Sequence, residues 1–149
     1  MTTVRKAAAG DIPRILELYR QLAFDPSNEV PNSPPEECRR VFDEIQLIPG
    51  YELLVAEYGG EVVGTTVLVI LPGLTHGLLP FAVLEYVVVD EKCRRRGIGR
   101  ALMDYCVARA KDAGCYKIML TSDKRREPAH RFYESLGFEA SAHGFRLYL

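Results

Sequence analysis

The sequence lacks any long hydrophobic run. No apolar stretch approaches the ~20 residues that a membrane-spanning helix needs, and the first six residues lack the apolar core of a signal peptide. A strong net charge is lacking too, since the formal value of −1 gives no general attraction to nucleic acid or to a membrane surface. We therefore expect a cytoplasmic protein with neither nucleic acid nor a membrane among its partners.

Cysteine is scarce and unpatterned. The four cysteines, at positions 38, 93, 106 and 115, form no Cys-x-x-Cys pair, and no histidine spacing suggests zinc. We expect reduced thiols and no metal. Internal repeats and low-complexity tracts are missing as well. The 149 residues, of which 48% are apolar and 26% charged, therefore predict one globular domain that spans residues 1–149.

The strongest functional signal is a basic turn between a predicted strand, which ends at Val89, and a predicted helix. Its residues are Arg94, Arg95, Arg96, Gly97, Ile98, Gly99 and Arg100. Glycine lets a backbone approach a ligand closely, the free N–H groups and dipole of a helix N-terminus favour an anion, and arginine binds phosphate oxygens. The turn therefore predicts a pyrophosphate site.

Two common nucleotide motifs are excluded at this turn. A Walker loop needs Lys and then Ser or Thr after its last glycine, whereas Arg100 and Ala101 follow Gly99. A dinucleotide fingerprint needs a third glycine that the turn lacks. A solvated arginine run that touches nucleic acid is the alternative, but the flanking strand and helix favour the phosphate site.

Hydrophobic periodicity and turn residues predict the element order β-α-α-β-β-β-α-β-α-β. The predicted strands cover residues 4–7, 51–57, 62–70, 82–89, 117–121 and 141–149, and the predicted helices cover about 11–23, 34–47, 97–113 and 128–136. Ser33-Pro34-Pro35-Glu36 is typical of a capping box, and 24–32 is a predicted loop. Antiparallel hairpins followed by a strand–helix–strand crossover predict a mixed α/β sheet, with strand 82–89 buried on both faces.

Two motifs carry a family resemblance. Arg94-x-x-Gly97-x-Gly99 resembles the acetyl-coenzyme A signature of the GNAT superfamily of N-acetyltransferases, and Phe132-Tyr133 followed by Gly137-Phe138 is similar to a second motif of that superfamily. Two motifs in this order are more specific than either alone. The resemblance covers the whole chain. It implies the GNAT fold, acetyl-coenzyme A as cosubstrate and, by family habit, a homodimer in which the apolar strand Phe145–Leu149 pairs or packs across two chains.

The resemblance also implies which residues contact the cosubstrate. The strand end pairs with the pantetheine arm, the basic turn surrounds the pyrophosphate, and the last helix adds further contacts. These residues are Val87, Val88 and Val89; Arg94, Arg95, Arg96, Gly97, Ile98, Gly99 and Arg100; and Arg126, Ala129 and Phe132. The family often has asparagine where Arg126 stands, which leaves open whether Arg126 binds phosphate or an anionic substrate. His130 is expected to position its neighbours or to lie at the surface.

Two residues are candidates for proton transfer. Tyr133 matches the family tyrosine that protonates the leaving thiolate, and a core tyrosine is the alternative. Glu85 is the one charged residue of its apolar strand, where a carboxylate is costly unless it is used or paired. It is therefore the candidate base, with an ion pair as the alternative, and His76 in the preceding loop is the second candidate.

These features predict an N-acetyltransferase, in the EC 2.3.1 class of acyltransferases, that acetylates the primary amine of a small molecule. Ser122–Tyr133 resembles a segment of aminoalkylphosphonate acetyltransferases and Gly114–Ile118 one of glucosamine-6-phosphate acetyltransferases, which favours an acceptor with a phosphonate or phosphate group. Two alternatives stay open, a non-catalytic acyl-coenzyme A sensor and a protein or peptide amine acetyltransferase.

Overall fold

A computed structural model describes the backbone of residues 1–149 and the side chains of all residues except 27 and 28. The chain divides into two compact units, Met1–Met119 and Leu120–Leu149. The prediction of one domain over 1–149 stays a prediction.

The first unit is built on a five-stranded mixed sheet. Its strands are β1 (Thr2–Lys6), β2 (Tyr51–Tyr58), β3 (Glu61–Leu71), β4 (Phe81–Val89) and β5 (Ile118–Met119), in the order β1-β2-β3-β4-β5. Strands β1 to β4 pair antiparallel with one another, and β5 pairs parallel with β4. The predicted mixed α/β sheet is therefore confirmed. The predicted tight β2–β3 hairpin is confirmed too, because Gly59 and Gly60 both have positive φ.

The helices of the first unit are α1 (Ile12–Leu22), α2 (Pro26–Glu29), α3 (Pro35–Gln46) and α4 (Ile98–Asp112). Two local predictions are wrong. The predicted loop 24–32 contains the short helix α2, and the predicted capping box does not form, because α3 has Pro34 as its N-cap and no side-chain cap bond. Proline in the first turn already fixes φ for a helix and lacks an N–H that would need a cap.

The helices cover the two faces of the sheet. One face carries a core cluster that joins α1 and α3 to the strands, with Ala7, Ile15, Phe42, Leu53, Val55 and Val67 as its buried members. The other face packs on α4, whose Leu102, Met103 and Cys106 are at most 1% exposed. Gly64 of β3 lies so close to α4 that a Cβ there would sit 3.1 Å from Leu102 Cδ1. Each fully buried Leu-sized side chain contributes roughly 1.5–3 kcal/mol.

The second unit contains α5 (Glu127–Ser135) and an extended C-terminal segment. No strand follows α5 in the described part of the chain, so the predicted strand 141–149 is wrong for the single chain. A strand exists only where a partner satisfies its backbone N–H and C=O groups. Phe145, Leu147 and Tyr148 are at least 82% exposed, which shows that this apolar segment is uncovered.

Neither a membrane span nor a metal cluster is found in the described residues. No described helix combines the length and the apolar character needed to cross a bilayer. Likewise, the described side chains contain no group of three or more His, Cys, Asp or Glu residues that could hold a metal ion.

Candidate active site

The basic turn joins β4 to α4 through left-handed backbone. Arg95 and Gly97 have φ of +64° and +76°, and Gly97 is the N-cap of α4. Turns of this kind collect backbone N–H groups into an anion-binding concavity. The first helical hydrogen bond runs from Ala101 N to Gly97 O at 3.0 Å, so the N–H groups of residues 98–100 have no partner within the helix. The backbone thus has the form that the sequence predicted for a phosphate site.

The four arginines of the turn differ in their contacts. Arg94 and Arg95 are exposed and have no side-chain partner among the described side chains. The Arg96 guanidinium lies 5.7 Å from the ring centroid of Tyr58. Arg100 lies 3.9 Å from the Asp104 carboxylate one helical turn on. Arg94 and Arg95 are therefore the side chains that can reach a phosphate without breaking another contact.

Asp90 fixes the position of the turn, a role that the sequence did not reveal. Its buried carboxylate accepts from Lys92 N at 3.0 Å and from the guanidinium of Arg14 on α1. Arg14 Nε also donates to Val62 O at 2.8 Å, and Gln21 Oε1 accepts from Glu91 N at 3.0 Å. The Lys92 N–H and the Arg14 guanidinium both hold the pKa of Asp90 below its usual range. The entry to the turn is thereby joined to α1.

A β-bulge interrupts β4 at Tyr86. Val67 pairs with Glu85 and Thr65 pairs with Val88, so two residues of β4 face Thr66 alone. Tyr86 takes a φ of +53°, which costs a non-glycine residue roughly 1–3 kcal/mol. The Thr66 hydroxyl donates to Glu85 O at 3.2 Å across the bulge. Bulges of this kind end regular pairing and are common beside active sites.

The β5-facing edge of β4 is open from Leu84 onward. β5 pairs with β4 at Ala82 and Val83, and no strand in the described part of the chain pairs with this edge beyond Val83. The opposite edge at Val88 and Val89 is engaged by β3. An open strand edge offers alternating N–H and C=O groups to an amide-containing ligand. The predicted pantetheine contacts of Val87, Val88 and Val89 would use this edge.

Glu85 is exposed, together with Tyr86, so the prediction that the strand is buried on both faces is wrong at its centre. The desolvation cost that singled out Glu85 therefore does not apply. Its place in the fold still makes it a candidate base, because it directly precedes the bulge. Burial, and secondarily Tyr86 and Glu85, raises the pKa of Tyr51, so the carboxylate lies close enough to act on that phenol.

His76, the second candidate base, is engaged elsewhere. Its ring stacks on Tyr116, with centroids 4.0 Å apart and planes 10° apart, and its Nδ1 lies 3.0 Å from Thr75 Oγ1. This stack holds the imidazole against Tyr116, which lies two residues before β5. Glu85 stays the first candidate, since it directly precedes the bulge.

In the second unit, α5 carries the other predicted residues. Tyr133 lies in an aromatic cluster, with ring centroids 5.4 Å from Phe132 and 5.8 Å from Phe138. Burial raises the pKa of Tyr133 to about 12, against a smaller lowering by Arg126. The phenol is therefore protonated at neutral pH and can donate a hydrogen bond. Arg126 is the N-cap of α5, and His130 Nε2 lies 2.8 Å from Asp123 O.

Comparison with known proteins identifies the family. The model of the acetyltransferase (GNAT) family matches residues 13–138, which is most of the chain.

The chain belongs to the GNAT acetyltransferase family. Glucosamine 6-phosphate N-acetyltransferase of Trypanosoma brucei brucei is 44% identical over 90 residues, which are 59% of this chain and 58% of that protein. A protein of Bacillus halodurans C-125 named as a transcriptional regulator is 34% identical, with a TM-score of 0.91 and full coverage of both chains. An acetyltransferase of Trypanosoma brucei is 31% identical, with a TM-score of 0.84 and full coverage. The predicted GNAT fold is confirmed.

The curated relatives are longer than the matched part. The chain spans between 42% and 58% of the length of the curated relatives that it matches.

Within the GNAT domain, the first unit brings together the β4 edge, Glu85 with the bulge that follows it, and the basic turn, whereas Arg126, Ala129, Phe132 and Tyr133 belong to the second unit. The assignment of these residues to cosubstrate binding and catalysis stays a prediction.

Proposed function

We propose that this GNAT protein is an N-acetyltransferase that transfers an acetyl group from acetyl-coenzyme A to the primary amine of a small molecule. One observation carries the proposal. The open edge of β4 is followed, after a short 3-10 helix at Glu91–Cys93, by a left-handed turn at the N-terminus of α4, where two unpaired arginines, Arg94 and Arg95, lie. A strand edge suits the amides of pantetheine, and the turn suits a pyrophosphate.

The bulge supplies the next part of the proposed chemistry. Tyr86 and Val87 lie outside the regular β3–β4 register, because both face Thr66, and the proposal takes their backbone N–H groups as the candidate donors. In the proposed complex one of them donates to the thioester oxygen, where negative charge grows as the amine attacks. A fixed donor at that place can be worth ~3 kcal/mol of barrier lowering.

Proton transfer needs two further groups. The acceptor begins as an ammonium with a pKa of ~10 and must lose one proton before its nitrogen attacks the thioester carbon. We assign this step to Glu85, directly or through water. As the C–N bond forms, the C–S bond breaks, its electron pair goes to sulfur, and the second proton of nitrogen is released. The products are the amide, coenzyme A thiol and a proton.

Tyr133 is the proposed group for the leaving thiolate. With its pKa raised to about 12 by burial, full transfer to a thiolate of pKa ~8.5 is uphill, so the proposed role is hydrogen-bond donation that stabilises the thiolate. The family resemblance carries this assignment. We further propose a homodimer, because the exposed apolar segment Phe145–Leu149 lacks a strand partner in the described chain.

A second candidate acceptor is an amine that carries a phosphate. The Trypanosoma relative is named for glucosamine 6-phosphate, which supports this candidate. An acyl-coenzyme A sensor without catalysis and a protein or peptide amine acetyltransferase are the remaining alternatives. Unlike the main proposal, neither alternative predicts that a small amine causes release of coenzyme A thiol from acetyl-coenzyme A.

The test is the release of coenzyme A thiol from acetyl-coenzyme A in the presence of a panel of amines. We expect thiol release to depend on a small primary amine and the acetylated product to appear in equal amount by mass spectrometry. Binding of acetyl-coenzyme A with no amine-dependent thiol release from any small amine or peptide would support the sensor instead. Thiol release with peptides alone would support a protein or peptide amine as the acceptor instead of a small molecule.

A further inference from the structure

A cleft between α1 and α3 is not used by any part of the cosubstrate site. It has a volume of about 400 Å³, within the range of small-molecule sites, and β2 lies against it. Most of its lining is apolar and comes from both helices: Ile12, Ile15, Leu16, Val41, Phe42 and Ile45. Tyr19 and Tyr51 add two phenol rings. Such a lining suits a ligand with an apolar body.

The cleft lies on the same face of the sheet as Glu85. Across the sheet, Leu53 pairs with Val67 and Val67 pairs with Glu85, so these three side chains share one face. Tyr51 is two residues before Leu53 and therefore shares that face, and both line the cleft. The Tyr19 ring, also in the lining, lies 5.6 Å from the Tyr86 ring of the bulge. The cleft thus adjoins the bulge, which the candidate base Glu85 directly precedes.

The charges of the lining disfavour an anion. Of the described residues that line the cleft, Arg40 is the sole base, and its guanidinium is held 2.6 Å from Glu44. Glu37 adds an acid to the lining. Burial raises the pKa of Tyr51 and of Tyr19, so both phenols are neutral at physiological pH. A phosphate placed here would lose water without gaining a free cation.

We infer that this cleft holds the apolar body of the acceptor, an aromatic ring or a branched aliphatic chain, while the acceptor's amine lies at Glu85. The inference rests on the proposed function and narrows its substrate class to amines with an apolar body. The ring would replace water against the aliphatic lining, and the ammonium would face the Glu85 carboxylate and the tyrosine rings, which attract cations.

The test is calorimetric binding of 2-phenylethylamine to the protein saturated with coenzyme A, compared with glucosamine 6-phosphate. Val41→Trp is the decisive variant, because Val41 lines the cleft yet is 43% exposed, so a larger ring can fill the cleft without entering the core. Arg39→Trp is the matched control, since Arg39 is exposed on the same helix and does not line the cleft. Circular dichroism checks that both variants fold.

We expect 2-phenylethylamine to bind at least ten times more tightly than glucosamine 6-phosphate. Val41→Trp should weaken that binding at least tenfold, while Arg39→Trp and the affinity for coenzyme A stay unchanged. Equal or tighter binding of glucosamine 6-phosphate, or an unchanged affinity in folded Val41→Trp, would overturn the inference.

Turnover separates this inference from the proposed function. Acetyl transfer to glucosamine 6-phosphate but not to 2-phenylethylamine would keep the proposed function and reject the apolar cleft. Binding of 2-phenylethylamine that Val41→Trp abolishes, without acetyl transfer to any amine, would keep the cleft as a ligand site and reject the transferase.

Discussion

Replacing Asp90 tests whether the basic turn is held in place from α1. The carboxylate is 8% exposed and accepts from the Lys92 N–H at 3.0 Å and from the Arg14 guanidinium. A hydrogen bond to a charged group contributes ~1.5–3 kcal/mol, and both of these bonds are of that kind because the Asp90 carboxylate is ionised. Arg14 would keep its bonds to Glu17 and Val62 O, which limits the loss of stability when the Asp90 carboxylate is removed. Asp90→Ala should therefore lower the free energy of unfolding by ~3 kcal/mol in urea titrations.

The control and the pH dependence sharpen this prediction. Asp43→Ala removes an exposed i,i+4 ion pair with Arg39 and should cost less than ~0.5 kcal/mol. Because the folded pKa of Asp90 lies below that of the unfolded chain, its ionised form stabilises the fold above ~pH 4, and this stabilisation fades as the pH falls through the folded value. The gap between wild type and Asp90→Asn should therefore narrow below ~pH 4. An Asp90→Ala protein as stable as Asp43→Ala, or a gap that widens in acid, would refute this role for Asp90.

Three further predictions concern the proposed chemistry. Tyr133→Phe removes one hydroxyl and should reduce turnover by ~10²–10⁴ while acetyl-coenzyme A affinity in calorimetry stays unchanged; full turnover would return Tyr133 to a packing role. Glu85→Gln should reduce the rate most at low pH, where more of the acceptor is protonated, and an unaltered pH–rate profile would move the base to His76 or to water. Light scattering at micromolar concentration should give twice the chain mass of 16.7 kDa, falling towards one chain when residues 145–149 are deleted; a wild-type monomer would contradict the dimer.

The sequence predicted the β4–turn–α4 segment well because its signals are local. An apolar run, two glycines and a helical pattern follow one another along the chain, and the structure has the strand at Phe81–Val89 and the helix at Ile98–Asp112, close to where they were predicted. The left-handed backbone of Gly97, which was predicted as the first helical residue, was not predicted. The hairpin at Gly59-Gly60 was predictable for the same reason, since positive φ at adjacent residues favours glycine.

Long-range and strained features could not be predicted from the sequence. The contact between Arg14 and Asp90 joins residues 76 positions apart, and no local pattern marks it. The bulge places Tyr86 in left-handed backbone, a conformation that usually marks a glycine. Because no glycine stands there, the sequence does not indicate the bulge. Glu85 was expected to be buried because its neighbours are apolar, yet it is exposed in the structure, where it directly precedes the bulge. An apolar tail was expected to form a strand, but pairing depends on a partner and not on composition.

The central claim is that the turn at residues 94–100 binds the pyrophosphate of acetyl-coenzyme A. Calorimetric titration of acetyl-coenzyme A into wild type, Gly99→Asp and Gly10→Asp tests it most directly. Gly10 is an exposed glycine with open space at its Cβ position and ordinary φ. Gly10→Asp is therefore the control, because it adds the same side chain at a position outside the turn. We predict that Gly99→Asp weakens binding at least tenfold, ~1.4 kcal/mol, while Gly10→Asp binds like wild type. Wild-type affinity in a folded Gly99→Asp protein would contradict the claim.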